Sequence, residues 1–277
     1  MIKTLRRTGS AGRLKVALIQ LCSGHDKEAN LDRALAMSRE ALDKGAGFIL
    51  LPEVFNFRGD SRQRQVFANA AESIPGPSSK AFLPLAKKYK ASILLGSIIE
   101  KSRGTRAYNT SVFINAHGAI GAKYRKIHLF DARIGDKIIR ESDCFRPGRS
   151  RTKVNVGHFR AGLSICYDLR FPGLYRDYAQ SGVEVLTIPS CFTRRTGEAH
   201  WEALLRARAI ENLSYVLAPN QVGTDDRGMK AHGHSMIISP WGEIIAQGSA
   251  EGQEIVFGEI DIEEVRKARQ ILPGIVK

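Results

Sequence analysis

Three side chains of complementary chemistry stand just after runs that read as strands. Glu53 follows "FILLP", Lys126 follows "IGAKYR" and Cys166 follows "GLSI". A carboxylate, an ammonium and a thiol are the parts of an acyl-transfer site. Cys166 would be the nucleophile, Glu53 its general base, and Lys126 the cation that holds an oxyanion. Each also has a plain structural reading. A free Cys is among the most buried residue types, a Glu after Leu-Leu-Pro is commonly a solvated loop residue, and a Lys in "KYRK" a charged turn. The three lie far apart in the chain, so only a fold could join them.

Other chemistries have less support. His232 and His234 in "AHGHS" would share one face of a strand, but no HExxH and no third ligand at a suitable spacing joins them, so no metal is expected. His200 and Trp201 open an amphipathic stretch, where packing or capping explains them better than catalysis. The chain has no G-x-S-x-G, which disfavours a serine hydrolase. Its four cysteines, Cys22, Cys144, Cys166 and Cys191, form no CxxC pair, which argues against a redox dithiol or a zinc knuckle and fits a reducing compartment.

The elements that must position these residues alternate between strand and helix. Extended apolar runs occupy 15–22, 47–54, 91–100, 161–166, 183–190 and 213–220. Helical periodicity occupies 27–46, 76–90, 173–182 and 197–212. Two segments read as hairpins, one over 108–130 turning at 115–118 and one over 232–247 turning at 239–242. A strand and a helix close the chain over 254–269. No linker or repeat divides it. Strands linked partly by helices and partly by hairpins predict two mixed sheets packed face to face with helices outside, a four-layer αββα sandwich. A single doubly wound sheet is the alternative.

The charge is +14 over 277 residues, 43% of them apolar. The basic residues are dispersed, with no basic helix and no aromatic RNA-binding signature, so a solvated surface is favoured over a nucleic-acid partner. Residues 1–14 are basic and acid-free and lack a signal-peptide apolar core. They read as a flexible tail, a transit peptide being the minor alternative, ahead of one domain over 15–277. No apolar run is long enough to span a bilayer, and a cytoplasmic protein is expected.

Through the motifs "LLPEVF", "YRKIHLFD" and "GLSICYDLRFP", followed by "TGEAHWEALLRARAIEN" and "GHSMIISPWGEI", the chain resembles the nitrilase superfamily of carbon–nitrogen hydrolases from Val16 to Arg269. The resemblance implies an αββα fold, a Glu53–Lys126–Cys166 centre, and Glu141 in "IRESDCF" as a second Glu supporting the Lys. It also implies pairing into a homodimer or larger assembly, with no cofactor. Tyr167-Asp168 after the Cys looks like the amidase branch that contains omega-amidase and deaminated-glutathione amidase, acting on small carboxylate-bearing amides. N-carbamoyl amino acid amidohydrolase and nitrilase are the alternatives within the superfamily. On this reading the Tyr167 N–H joins Lys126 at the oxyanion, and Lys126 also favours the thiolate. Phe192 borders the site, and Arg170, Arg194 and Arg195 are the candidate cations for a substrate carboxylate. Two departures stand out: "ARIGDKIIR" lacks the Pro-Gly often found in the wall of the site, and Cys191 stands where Ala is usual.

Overall fold

Along the first strand, β1 (Arg13–Gln20), Val16 and Leu18 point to one side and Ala17 and Ile19 to the other, and all four are fully buried. Successive side chains of a strand face opposite ways, so a strand buried on both sides lies in the middle of a layered structure. The computed structural model describes residues 12–59, 64–134, 137–226 and 228–274. Most of the expected tail lies outside them. Arg13 and Leu14 are already paired in the sheet, so β1 starts ahead of the predicted boundary.

After β1 come α1 (Lys27–Asp43), β2 (Phe48–Leu50), α2 (Arg64–Ala70), α3 (Pro77–Tyr89), β3 (Ser92–Glu100), β4 (Tyr108–Ile114) and β5 (Ile120–Arg125). The hairpin β6 (Asp131–Ile134) and β7 (Lys137–Arg140) follows and pairs with neither large sheet. Then come β8 (Lys153–Val156), β9 (Phe159–Leu163), α4 (Pro172–Gln180), β10 (Val185–Thr187), α5 (Arg194–Asn212), β11 (Tyr215–Ala218), β12 (Met236–Ile238) and β13 (Ile244–Gln247). β14 (Glu254–Asp261) returns to the first sheet, and α6 (Ile262–Ile271) follows. The sheets run β14-β1-β2-β3-β4-β5 and β13-β12-β11-β10-β9-β8. Each mixes parallel and antiparallel pairs, and this two-sheet arrangement is the one expected.

The layers follow from the alternation on β1. Val16 and Leu18 join a core with Val154, Ala161, Val185 and Val216 of the second sheet. Ala17 and Ile19 join another with Ala34 and Ala41 of α1 and with Phe82 and Ala86 of α3. On the far side, Leu174 and Tyr178 of α4 and Trp201 and Leu205 of α5 close the second sheet. α1 starts where the Asp26 carboxylate accepts the N–H groups of Glu28 and Ala29, a side-chain N-cap. Both predicted hairpins form. Asn115 and Ala119 close the first, and Ser239 and Gly242 the second. The segment read only as a wall loop is instead the β6–β7 hairpin, registered by Asp131 opposite Arg140.

Candidate active site

Three strand ends and the turn after β7 converge on one cavity of about 130 Å³, lined by Glu53, Lys126, Glu141 and Cys166. Past β2, Leu51 and Pro52 carry the chain into Glu53. The backbone can pass here because a Cβ on Gly96 would sit 1.8 Å from the Leu51 carbonyl oxygen, so only Gly fits beneath it. Gln221 Nε2 donates to the Glu53 carbonyl (2.9 Å), and the Val54 N–H donates to Ser97 Oγ (2.8 Å), holding Val54 at φ 50. The peptide joining Glu53 to Val54 is therefore held through both its C=O and its N–H.

Lys126 leaves β5 with its N–H on the Asn109 carbonyl (2.9 Å) and its side chain only 2% exposed. Its Nζ donates to Glu53 Oε1 (2.8 Å) and to Glu141 Oε2 (2.8 Å) and Oε1 (3.0 Å). Asn109 Nδ2 bridges the same two carboxylates at 2.9 and 3.0 Å, and the Phe130 N–H donates to Glu141 Oε2 (2.6 Å). Glu53 Oε2 accepts the Cys191 N–H (3.0 Å). Every carboxylate oxygen of this cluster is thus filled, which is what allows so many charges to be buried together.

Cys166 follows β9 at a sharp corner. Its φ is 47, a left-handed conformation unusual for a residue with a side chain, and its N–H is held by the Pro189 carbonyl (2.9 Å). The single helical turn Cys166–Arg170 starts here. Asp168, fully buried, locks it: one carboxylate oxygen accepts the Ile165 N–H (2.9 Å) and Tyr124 Oη–H (2.7 Å), the other the His128 N–H (2.9 Å). One side chain therefore ties the corner bearing Cys166 to the segments on either side of Lys126.

The electrostatics follow from this packing. Burial disfavours a charged Lys126, yet Glu141 and Glu53 outweigh it and hold the ammonium well above the ordinary lysine range. Burial, with the charge of Glu53, raises the Glu141 carboxyl despite Lys126. Burial, followed by the charge of Glu53, pushes the Cys166 thiol well above the usual range; Lys126 opposes this and loses. Lys126 favours the thiolate, as expected, but burial and Glu53 have the larger influence. The resting sulfur keeps its proton.

The remaining sequence candidates divide. Tyr167, Arg170 and Phe192 line a narrow cleft of about 20 Å³ that also reaches Cys166. Arg170 Nη2 lies 3.2 Å from His200 Nδ1, so the polar partner at hand is a histidine. Arg194 and Arg195 fall on the first turn of α5, and both are exposed. Arg194 turns outward to Glu198 (2.8 Å), and neither lines the cavity or the cleft, which corrects their assignment as substrate cations. Trp201 packs on Phe192 and donates to the His234 carbonyl (2.8 Å), as a packing residue does. Burial and the neighbouring His234 lower His232 to about 4. Among the described residues no group of three His, Cys, Asp or Glu side chains could hold a metal ion, and no helix is long and apolar enough to cross a membrane. The sequence reading missed Asn109 and the positioning role of Asp168. A buried Asn inside the apolar strand "YNTSVFI" was the available signal for the first.

Comparison with known proteins agrees with this fold. Residues 15–270 match the carbon–nitrogen hydrolase family model. The chain is 39% identical to the human omega-amidase NIT2 over 260 residues, 94% of this chain and 92% of that protein. The crystal structure of Saccharomyces cerevisiae Nit3, a member of branch 10 of the nitrilase superfamily, superposes with a TM-score of 0.85 at 34% identity, covering 95% of each chain. The C. elegans NitFhit structure gives 0.88 at 36% identity over 96% of this chain, which spans 65% of that longer one. By its sequence, its two-sheet fold and these relatives, the chain belongs to the carbon–nitrogen hydrolase family of the nitrilase superfamily.

Proposed function

We propose that the protein is an omega-amidase-type hydrolase that cleaves the amide bond of a small carboxylate-bearing amide through a thioester on Cys166. The observation that carries this reading is the buried Glu53–Lys126–Glu141 cluster, with Cys166 lining the same cavity. The likeness to omega-amidases supports the substrate class.

In this reading Glu53 takes the thiol proton as sulfur attacks the amide carbon, forming the C–S bond. Protonated Glu53 holds Lys126 less tightly, and a freed N–H turns to the new oxyanion with the Tyr167 N–H beside it. Such donors contribute roughly 3 kcal/mol each to the transition state. Collapse breaks the C–N bond, and Glu53 passes its proton to the departing ammonia. Water then gives a proton to Glu53 and its oxygen to the thioester; the C–S bond breaks, and the sulfur regains its proton. Glu141 and Asn109 keep Lys126 and Glu53 in register throughout.

Ammonia release from a panel of carboxylate-bearing amides, neutral amides, ureido acids and nitriles tests this. Carboxylate-bearing amides are expected to lead; turnover confined to ureido acids or nitriles would overturn the omega-amidase reading.

Self-association fits the same reading. Ile210 of α5 touches Gly242 beside Trp241, and Ile244 follows on β13; Ile210, Trp241 and Ile244 are exposed apolar groups. A face of this kind favours a partner surface over water. Light scattering is expected to show a dimer or larger species that Trp241→Glu splits; a monomeric wild type would contradict it.

A further inference from the structure

Arg58 is the charged group of the cavity that the chemistry above leaves unused. It follows Glu53 on the same loop, and its side chain is only 4% exposed. Its N–H is fixed on the Gly24 carbonyl (3.0 Å), and Nη2 donates to the Met229 carbonyl (3.2 Å). Nε lies 3.3 Å from Asp225 Oδ2 without hydrogen-bond geometry, and both Nε and Nη1 are buried with no hydrogen-bond partner. Asp225 in turn accepts the Met229 N–H (2.9 Å). The carboxylate of Asp225 thus balances the charge of Arg58 without filling its donors. A guanidinium carries five N–H groups in a rigid fork matched to a carboxylate, and buried donors of this kind are seldom left open without a reason.

The surroundings narrow what could fill them. Among the described lining residues only Arg58 and Lys126 are cationic, and Lys126 already serves Glu53 and Glu141. Phe57, Phe67, Phe145 and Met229 supply apolar wall. A ligand that satisfies this lining has a short neutral stem, a reactive carbonyl at Cys166 and an anionic end. We propose that Arg58 is the specificity-determining anion clamp of the cavity, binding the carboxylate at the far end of the substrate amide. The inference rests on the amidase reading and adds the residue that recognises the acid. It also moves that task from Arg194 and Arg195, which face solvent.

The test compares wild type, Arg58→Gln and Arg58→Lys on glutaramate and on its neutral methyl-ketone analogue. Arg58→Gln is expected to lose about 100-fold in kcat/KM on glutaramate, chiefly through KM, and less than about threefold on the neutral amide. Arg58→Lys keeps a charge against Asp225, so it guards against misfolding; it is expected to lose about tenfold on glutaramate alone. Equal losses on both amides, or none on glutaramate in the folded Lys variant, would overturn the clamp. Calorimetry gives an arm free of turnover. Glutarate binding to Cys166→Ala is expected to weaken about 100-fold when Arg58→Gln is added, and unchanged binding overturns the inference. Arg58-dependent glutarate binding in a protein that hydrolyses neither amide would sink the amidase reading and leave the clamp standing.

Discussion

Cys166→Ala is expected to fold as wild type and to lose ammonia release by more than about 10⁴-fold, since removing the nucleophile of a covalent mechanism leaves only binding and oxyanion stabilisation. The methyl of Ala occupies the same left-handed corner, and Asp168 still ties that corner to Tyr124 and His128. Glu53→Gln should be equally inactive, yet it should change the thiol in the opposite sense. Burial and the charge of Glu53 keep Cys166 protonated. Removing that charge leaves Lys126 less opposed, so iodoacetamide should alkylate Cys166 faster at neutral pH in Glu53→Gln than in wild type. A dead enzyme with a more reactive nucleophile separates the general base from the nucleophile. Retained turnover in Glu53→Gln, or slower alkylation, contradicts the roles given to both.

Lys126→Met carries the second large effect, because it acts on stability as well as rate. Three carboxylate oxygens lie within hydrogen-bond reach of Nζ, two of them at 2.8 Å. Breaking a buried ion pair from one side costs about 3–5 kcal/mol, because the partner charge stays buried. The loss should depend on pH. Burial and Glu53 already raise Glu141 in the folded protein against the pull of Lys126, and without the ammonium it rises further. A folded carboxyl raised above its unfolded value binds its proton more tightly than the unfolded chain does. Its stabilising contribution is therefore complete below the unfolded value near 4.5 and is lost as pH rises through the folded value. Chemical melts of Lys126→Met should come nearest to wild type in mild acid and fall away toward neutrality. A deficit constant across that range would show that the cluster is not held by charge. Activity should vanish at every pH.

Much of this was legible in the chain. The continuous apolar run in "KVALIQ" reads as a strand covered on both sides, and two turn sequences placed both hairpins. Glu53, Lys126 and Cys166 were recognisable because each follows a run that reads as a strand and each carries a reactive group. Their meeting was not legible from spacing, since it depends on two sheets packing face to face. Asn109 and Asp168 were hidden for another reason. Asn109 meets Glu53 and Glu141, and Asp168 meets Tyr124 and His128, through hydrogen bonds to residues distant in sequence, and hydrogen bonds leave no periodicity. Arg194 and Arg195 misled because a helix start fixes neither which side of the first turn faces the cavity nor how close it comes; both lie exposed on the first turn of α5. Arg58 was visible as one basic residue among many, and only its burial and open N–H groups distinguish it. The state of the thiol was legible only in part, because a nearby Lys is readable in the sequence and the burial that outweighs it is not.

The covalent intermediate is the central claim, and intact-protein mass spectrometry tests it directly. Mixing the enzyme with a slow amide and quenching in acid should show one acyl group per chain, mapped by digestion to Cys166, with an equal burst of ammonia. The adduct should be absent in Cys166→Ala. Ammonia released with no acyl group on the protein, or an acyl group on any other residue, would contradict the account.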